Sequence, residues 1–251
     1  MGDRLLALLA AENVPVMECR VRGETTYSLA VTDETTQEQF RFSLPGELLS
    51  EDEGRMVLNR ISDTVQRDGL VVLSGGVANG LADDFPQEVQ AAVSRCNGRL
   101  IVDTSKAPLK RLIEAPVAPL DVLRLDRSEI EKVFSRPMRS ISDNLAFTER
   151  LVRRGVARIV ITGHGEEGSV MVAGDQKFFC HAPKVAVRSK IGAGDALVGA
   201  FAFSLSRGDP PEEALKWGVA AAAATVGTEG TSFCGFTETH ALLPQCRMER
   251  F

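Results

Sequence analysis

Two patterns of apolar and polar positions alternate along this chain of 251 residues. Short, nearly unbroken apolar runs rich in Val and Ile stand at residues 70–73 (LVVL), 100–103 (LIVD), 121–125 (DVLRL) and 158–162 (RIVIT). Runs of that length and composition predict strands buried on both faces. Between them, residues 86–96 (PQEVQAAVSRC) and 143–155 (DNLAFTERLVRRG) repeat apolar positions every three or four residues, the period of an amphipathic helix. Strands alternating with helices predict right-handed βαβ units and a mostly parallel sheet covered on both faces, the α/β class. Residues 25–44 depart from this rhythm. Two β-rich arms flank Asp33 to Thr36 and predict a hairpin, with Tyr27, Leu29 and Val31 on one face. The apolar stretch 5–11 (LLALLAA) predicts a helix with a buried face, and the alanine run 220–224 a tightly packed one. No internal repeat or low-complexity linker interrupts the chain, so residues 1–251 are expected to form one domain.

Composition narrows the class without changing it. Hydrophobic residues make up 44% and charged residues 25%, ordinary values for a soluble globular protein. The net charge of −5 comes with dispersed Lys and Arg, which argues against a nucleic-acid partner. No run approaches the roughly 20 apolar residues of a membrane span. The stretch 5–11 follows Asp3 and Arg4 and runs into Glu12, unlike a signal peptide. Five scattered cysteines, with no CxxC or Cys/His spacing, read as reduced thiols of a cytoplasmic protein.

The chemistry concentrates at residues 191–200, IGAGDALVGA. Gly192, Ala193 and Gly194 lead directly into Asp195 and a long apolar run of helical spacing. A glycine-containing turn that opens a helix aims N–H groups outward at the positive end of the helix dipole, where anionic charge is stabilised. A carboxylate in the first turn can take a proton from a hydroxyl while those N–H groups hold a phosphoryl group. The competing reading is an ordinary helix start, with Asp195 a first-turn charge.

The stretch 189–234 (SKIGAGDALVGAFAFSLSRGDPPEEALKWGVAAAAATVGTEGTSFC) resembles the C-terminal signature of the PfkB/ribokinase family of sugar kinases. The opening LLALLAAENVPV, then FRFSLPGELLSEDE, VVLSGGVANG, LIVDTS and GVARIVITGHGEEGSVMV follow that family's order and spacing. The resemblance covers nearly the whole chain and is nearest to the phosphofructokinase branch. It implies a ribokinase-like three-layer αβα sandwich with a small β lid, of which residues 25–44 are half. It also implies transfer of the γ-phosphoryl of Mg-ATP to a hydroxyl of a fructose 6-phosphate or fructose 1-phosphate type of sugar. Against the family pattern, the chain has no counterpart of the opening strand with a sugar-binding Asp or of the GG-x-G-x-N loop. Where the phosphofructokinase branch has a lid Arg for the sugar phosphate, this chain has Thr26. The alternative expectation is therefore a catalytically impaired homologue that binds nucleotide or acts by association.

Residue by residue, the resemblance makes Asp195 the base and Gly192, Ala193 and Gly194 the anion hole. The family's N-x-x-E motif for Mg²⁺ stands here as Asp126 to Glu129, an arrangement equally suited to an acidic helix cap. Arg124 takes the place of a family Lys that touches phosphate. In the turn 162–168 (TGHGEEG), Thr162, Gly165 and Gly168 would face the nucleotide phosphates, while His164 is expected to be an exposed loop residue. Val219 and Ala223 would wall the adenine, or simply pack a helix on the sheet. Gly76, with Asp195, would meet the sugar. A K⁺ ion would sit among Ser189, Ile191, Thr225, Thr228, Gly230 and Ser232. The half-lid, left with open edges, is expected to pair across a homodimer.

Overall fold

The structure is a computed structural model that describes every residue except Glu34 and Gln37, and only the backbone at Gln39 and Arg41. Each apolar run becomes a strand. β3 (Leu70–Ser74), β4 (Arg99–Asp103), β5 (Leu120–Leu125) and β6 (Ala157–Gly163) lie side by side, all parallel. The sheet continues antiparallel through β7 (Gly168–Ala173), β8 (Gln176–His181) and β9 (Arg247–Arg250), in the order β3-β4-β5-β6-β7-β8-β9. Five of the seven strands thus point the same way, since β8 returns to the direction of β6.

Helices cover both faces. On one side Val89 and Val93 of α3 (Phe85–Arg95), Leu109 and Ile113 of α4 (Lys106–Glu114), Ile130 of α5 (Arg127–Phe134) and Phe147 and Leu151 of α6 (Ile141–Arg153) pack on Leu100, Val102, Leu123 and Val160. α2 (Glu51–Thr64) joins that layer through Leu58 and Ile61 and begins at a capping box formed by Ser50 and Glu53. On the other side Leu197, Val198 and Phe201 of α7 (Ala193–Ser206) and Ala214, Leu215 and Val219 of α8 (Pro211–Val226) pack on Ile101, Val122, Ile161 and Met171. The alanine run does what its composition promises: Ala220, Ala221 and Ala223 are buried, so α8 approaches its neighbours closely. A short α9 (Phe236–Leu242) closes that side.

Two segments stand outside this sandwich. β1 (Ser28–Thr32) and β2 (Gln39–Ser43) form the expected antiparallel hairpin, with Leu29 opposite Phe42 and Val31 opposite Phe40. Asp33 organises its turn by accepting N–H bonds from Thr35 and Thr36; Glu34, within the expected turn, lies outside the described residues. α1 (Gly2–Ala11) is a helix, as its spacing predicts, but it buries no residue. Leu5 and Leu8 are about half exposed, which corrects the expectation of a buried face. The apolar period of α1 fixed its conformation, while burial depended on a partner surface that the described residues do not supply.

Candidate functional site

The carboxyl ends of β3, β4 and β5 and the amino end of α7 meet at one rim of the sheet, the place where α/β folds gather their ligands. Gly192 stands at the N-cap of α7 with φ of +81°, and Ala196 is the first to donate back into the helix, to the carbonyl of Gly192. The N–H groups of the preceding residues therefore fall to the helix N-terminus, without intrahelical partners. Asp195, in the first turn, is exposed at this rim, and the hydroxyl of Ser74 at the end of β3 donates to its Oδ1 at 3.3 Å.

Beside it lies a charge cluster. The Nη1 of Arg124 is 3.3 Å from both carboxylate oxygens of Asp103, and its Nη2 is 3.9 Å from Oδ2 of Asp126. Asp103 and Arg124 are almost fully enclosed. The guanidinium lies flat against Gly194, where an added Cβ would stand 2.8 to 3.1 Å from it. Glycine at 194 leaves room for the Arg124 guanidinium beside the helix N-terminus, where its charge adds to the positive end of the dipole. Burial pushes the Asp103 carboxyl above its ordinary value; Arg124 opposes that rise, and Asp195 and Asp126 add to it. Asp103 was not among the residues singled out from sequence. Its signal was present: an acid that ends a buried strand in LIVDTS lies at the ligand-bearing rim.

Asp126 and Glu129 form the capping box of α5. The Asp126 side chain accepts from Ser128 at 2.8 Å, and Glu129 accepts from the Asp126 N–H at 3.0 Å. The capping role is thus realised, and each carboxylate keeps a second oxygen. Burial raises the Glu129 pKa, with the hydrogen bond from Asp126 opposing. Among the described residues no three acidic, His or Cys side chains assemble as a metal site. The donor set fits a magnesium ion held mainly by phosphate and water oxygens. Asp103, Asp126 and Asp195 lie together beside a single guanidinium, an excess of negative charge that favours a cation, while the buried Nε of Arg124 has no partner and is a donor left for an anionic oxygen such as a phosphate's.

The remaining candidates divide. Gly76 lies exposed on the same rim, just past Ser74. Thr162, at the end of β6, is buried, and its hydroxyl pairs with that of Thr148 on α6 at 2.7 Å. Gly165, with φ of +65°, opens the short 3₁₀ turn 165–167. Gly168 begins β7, where any Cβ would collide with the carbonyl of Cys180 on β8. Strand pairing alone accounts for that glycine. His164 is 3% exposed, which overturns the expectation of an exposed loop residue. Its N–H bonds to Gly168 across the β6–β7 turn, its Nδ1 is 3.3 Å from Asn144, and its ring packs edge-on against Phe179. Val219 and Ala223 are buried, and Val219 belongs to the core between α8 and the sheet. Around the proposed monovalent site the chain does converge. Ser189 N–H donates to the carbonyl of Val226, Ile191 N–H to Ser189 Oγ, and Thr228 Oγ1 to the carbonyls of Thr225 and Ser232. Gly230 turns the chain between them with φ of +62°.

Comparison with known proteins agrees with this geometry. The chain matches the profile described as pfkB family carbohydrate kinase over residues 1–238. It is 28% identical to ATP-dependent 6-phosphofructokinase isozyme 2 of Escherichia coli K12, an alignment covering 96% of this chain and 77% of that one. It is 30% identical to 1-phosphofructokinase of Borreliella burgdorferi, covering 99% and 78%. Among solved structures, phosphofructokinase-2 of Escherichia coli in complex with potassium superposes with a TM-score of 0.90 at 28% identity, over 97% of this chain and 78% of that one. The ribokinase-like fold, the order of motifs and the carboxylate at the glycine turn come together in one conclusion: the chain belongs to the pfkB family of carbohydrate kinases.

Proposed function

We propose that the protein transfers the γ-phosphoryl group of Mg-ATP to a hydroxyl of a sugar phosphate, of the fructose 6-phosphate or fructose 1-phosphate type. The observation that carries this reading is Asp195, held by Ser74 at the amino end of α7 with the Arg124 guanidinium against Gly194. Asp195 takes the proton of the acceptor hydroxyl as the oxygen attacks. The N–H groups at Gly192, Ala193 and Gly194 and the guanidinium of Arg124 meet the charge that spreads over the transferred phosphoryl oxygens. When bound, Mg²⁺ neutralises phosphate charge, and Asp126 and Glu129 would hold it through their remaining oxygens or through water. Thr162, Gly165 and Gly168 mark the turn nearest the nucleotide phosphates, Val219 and Ala223 the adenine side, and Gly76 the acceptor side. K⁺ bound among Ser189, Ile191, Thr225, Thr228, Gly230 and Ser232 would stiffen the turn before α7, a role supported by the carbonyls converging there.

The relatives act on fructose phosphates by name, which is why these sugars head the acceptor class. The five free cysteines support a reducing compartment, the cytoplasm; no helix among the described residues is long and apolar enough to cross a membrane. We read residues 1–251 as one domain and the working unit as a homodimer joined through the hairpin. The test is steady-state assay of ADP release from Mg-ATP with fructose 6-phosphate, fructose 1-phosphate and unphosphorylated fructose. Turnover with one of the phosphorylated sugars is expected; release of ADP at the same rate with and without each sugar would refute the assignment.

A further inference from the structure

Two cysteines that the reaction as described does not use meet in the core. β9, the last strand in the sheet order, pairs with β8, and the register sets Cys180 of β8 opposite Met248 of β9. Cys246 stands two residues before Met248, on the same face by the alternation of strand side chains. Both cysteines belong to the core between the sheet and α8. There the two thiols bond to each other, Cys180 donating to the Cys246 sulfur. The other acceptor near Cys180 is the carbonyl of His181, 4.0 Å from its sulfur and too far for a strong bond. The bond from Cys180 lowers the Cys246 pKa against the effect of burial, and the Lys216 ammonium on α8 adds to the fall. The same bond, with burial, raises the pKa of Cys180. Cys180 is fully enclosed, whereas Cys246 keeps 6% of its surface in contact with solvent. A buried cysteine that only fills space needs no second thiol beside it. Two in contact, with the more acidic one nearer solvent, have the arrangement of an attacking and a resolving thiol.

We propose that Cys246 and Cys180 are a dithiol that hydrogen peroxide converts to a disulfide, fastening the start of β9 to β8. The Cys246 thiolate attacks one peroxide oxygen; an S–O bond forms, the O–O bond breaks, and hydroxide leaves to become water with the proton that Cys246 released. The Cys180 sulfur then attacks the sulfenic sulfur of Cys246. The S–S bond forms, the S–O bond breaks, and the hydroxyl departs as water with the Cys180 proton. Two thiols are oxidised by two electrons and one peroxide is reduced to two waters. The free thiols of the structure are the reduced form. The disulfide closes residues 180–246 into a loop that contains α7, α8 and α9, and with them Asp195. Cross-linking so long a loop restricts the unfolded chain and stabilises the folded one. In a reducing compartment the bond is transient, returned to two thiols by exchange with a small thiol. The proposal concerns the covalent state of the chain and does not depend on the kinase reading.

The test uses the full 251-residue protein, reduced, freed of reductant and treated with hydrogen peroxide. Peptide mapping by mass spectrometry should join the segment that holds Cys180 to the one that holds Cys246, with a loss of about 2 Da that dithiothreitol reverses. The oxidised protein should melt at least about 3 °C higher than the reduced one. Cys180→Ala removes the resolving thiol, so oxidation should stop at a sulfenic acid on Cys246, a gain of about 16 Da captured by dimedone. Cys246→Ala should leave Cys180 unoxidised under the same conditions. Circular dichroism checks the fold of both variants, and the wild-type map decides if either fails to fold. Cys180 and Cys246 unlinked after millimolar peroxide would overturn the proposal. So would a bond from either of them to Cys19, Cys96 or Cys234 instead, or sulfenic acid formed at Cys180 ahead of Cys246. An oxidised form that melts no higher than the reduced one would reject the fastening of β9.

Discussion

At the scale of single residues the site is an arrangement of charges on a helix terminus. Asp195 is the carboxylate in the first turn of α7 and, among the described residues, the one bonded to Ser74. Asp195→Asn keeps size and hydrogen bonding and removes the base, so turnover should fall by at least about 10²-fold with the fold intact. Single-turnover kinetics checks this, and comparable turnover in the variant would show that Asp195 is not the base. Asp103 acts at one remove, by fixing Arg124. Its carboxyl is raised by burial, so the folded state binds more protons than the unfolded chain between the ordinary carboxylate value and the raised one. Stability from this group is therefore fully present below the ordinary value and declines as pH rises through that window. Asp103→Asn, a neutral stand-in for the protonated carboxyl, should remove this declining component. Melting curves recorded from about pH 4 to 7 would show it, and an unchanged pH slope in the variant would refute the account. Asp103 escaped the sequence reading because its partner lies 21 residues away on the next strand, a pairing that no local pattern encodes.

At the scale of elements, the most legible features were those whose signal is local. Buried strands announced themselves by consecutive β-branched residues, and β3 to β6 lie where those runs stand. The glycine turn before α7 was readable because only a few backbone geometries lead from a loop into a helix with a carboxylate in the first turn. What depended on distant partners was not legible. The antiparallel strands β7 to β9 bring residue 180 beside residue 248, and α1 leaves Leu5 and Leu8 about half exposed. His164 looked like a loop residue because burial here comes from Asn144 and Phe179, on other elements. The start of α5 shows one residue answering to two demands. Asp126 caps the helix and carries charge beside Arg124. The two demands can be separated. Asp126→Asn keeps a competent cap, so stability should hold within a few tenths of a kcal/mol, while loss of one negative charge should tighten Mg-ATP binding several-fold. Asp126→Ala should cost about 1 kcal/mol through the lost cap. Chemical denaturation together with calorimetry distinguishes the two; equal destabilisation by both variants would mean that the cap is not what Asp126 contributes.

At the scale of the whole molecule, the hairpin carries the largest unmet demand for cover. The register of β1 and β2 sets Leu29 opposite Phe42 and Val31 opposite Phe40, so these four side chains share one face. All four are about half exposed. A two-stranded ribbon is marginal by itself in water and needs its apolar face packed against something. The rim that bears Asp195 lies on the sandwich and the hairpin outside it, so pairing two hairpins would stabilise them without occupying Asp195. A symmetric pairing also needs no second kind of surface, since each hairpin presents the same four side chains to its mate. The expected state in solution is therefore a dimer at micromolar concentration, with the hairpins at the interface. Leu29→Glu and Val31→Glu together would place like charges face to face across the two-fold axis. Light scattering should then report a monomer, and hydrogen exchange should show the β1 and β2 amides losing protection while β3 to β6 keep theirs. A wild-type protein that is monomeric at micromolar concentration, or a dimer that survives both charges, would place the association elsewhere on the molecule.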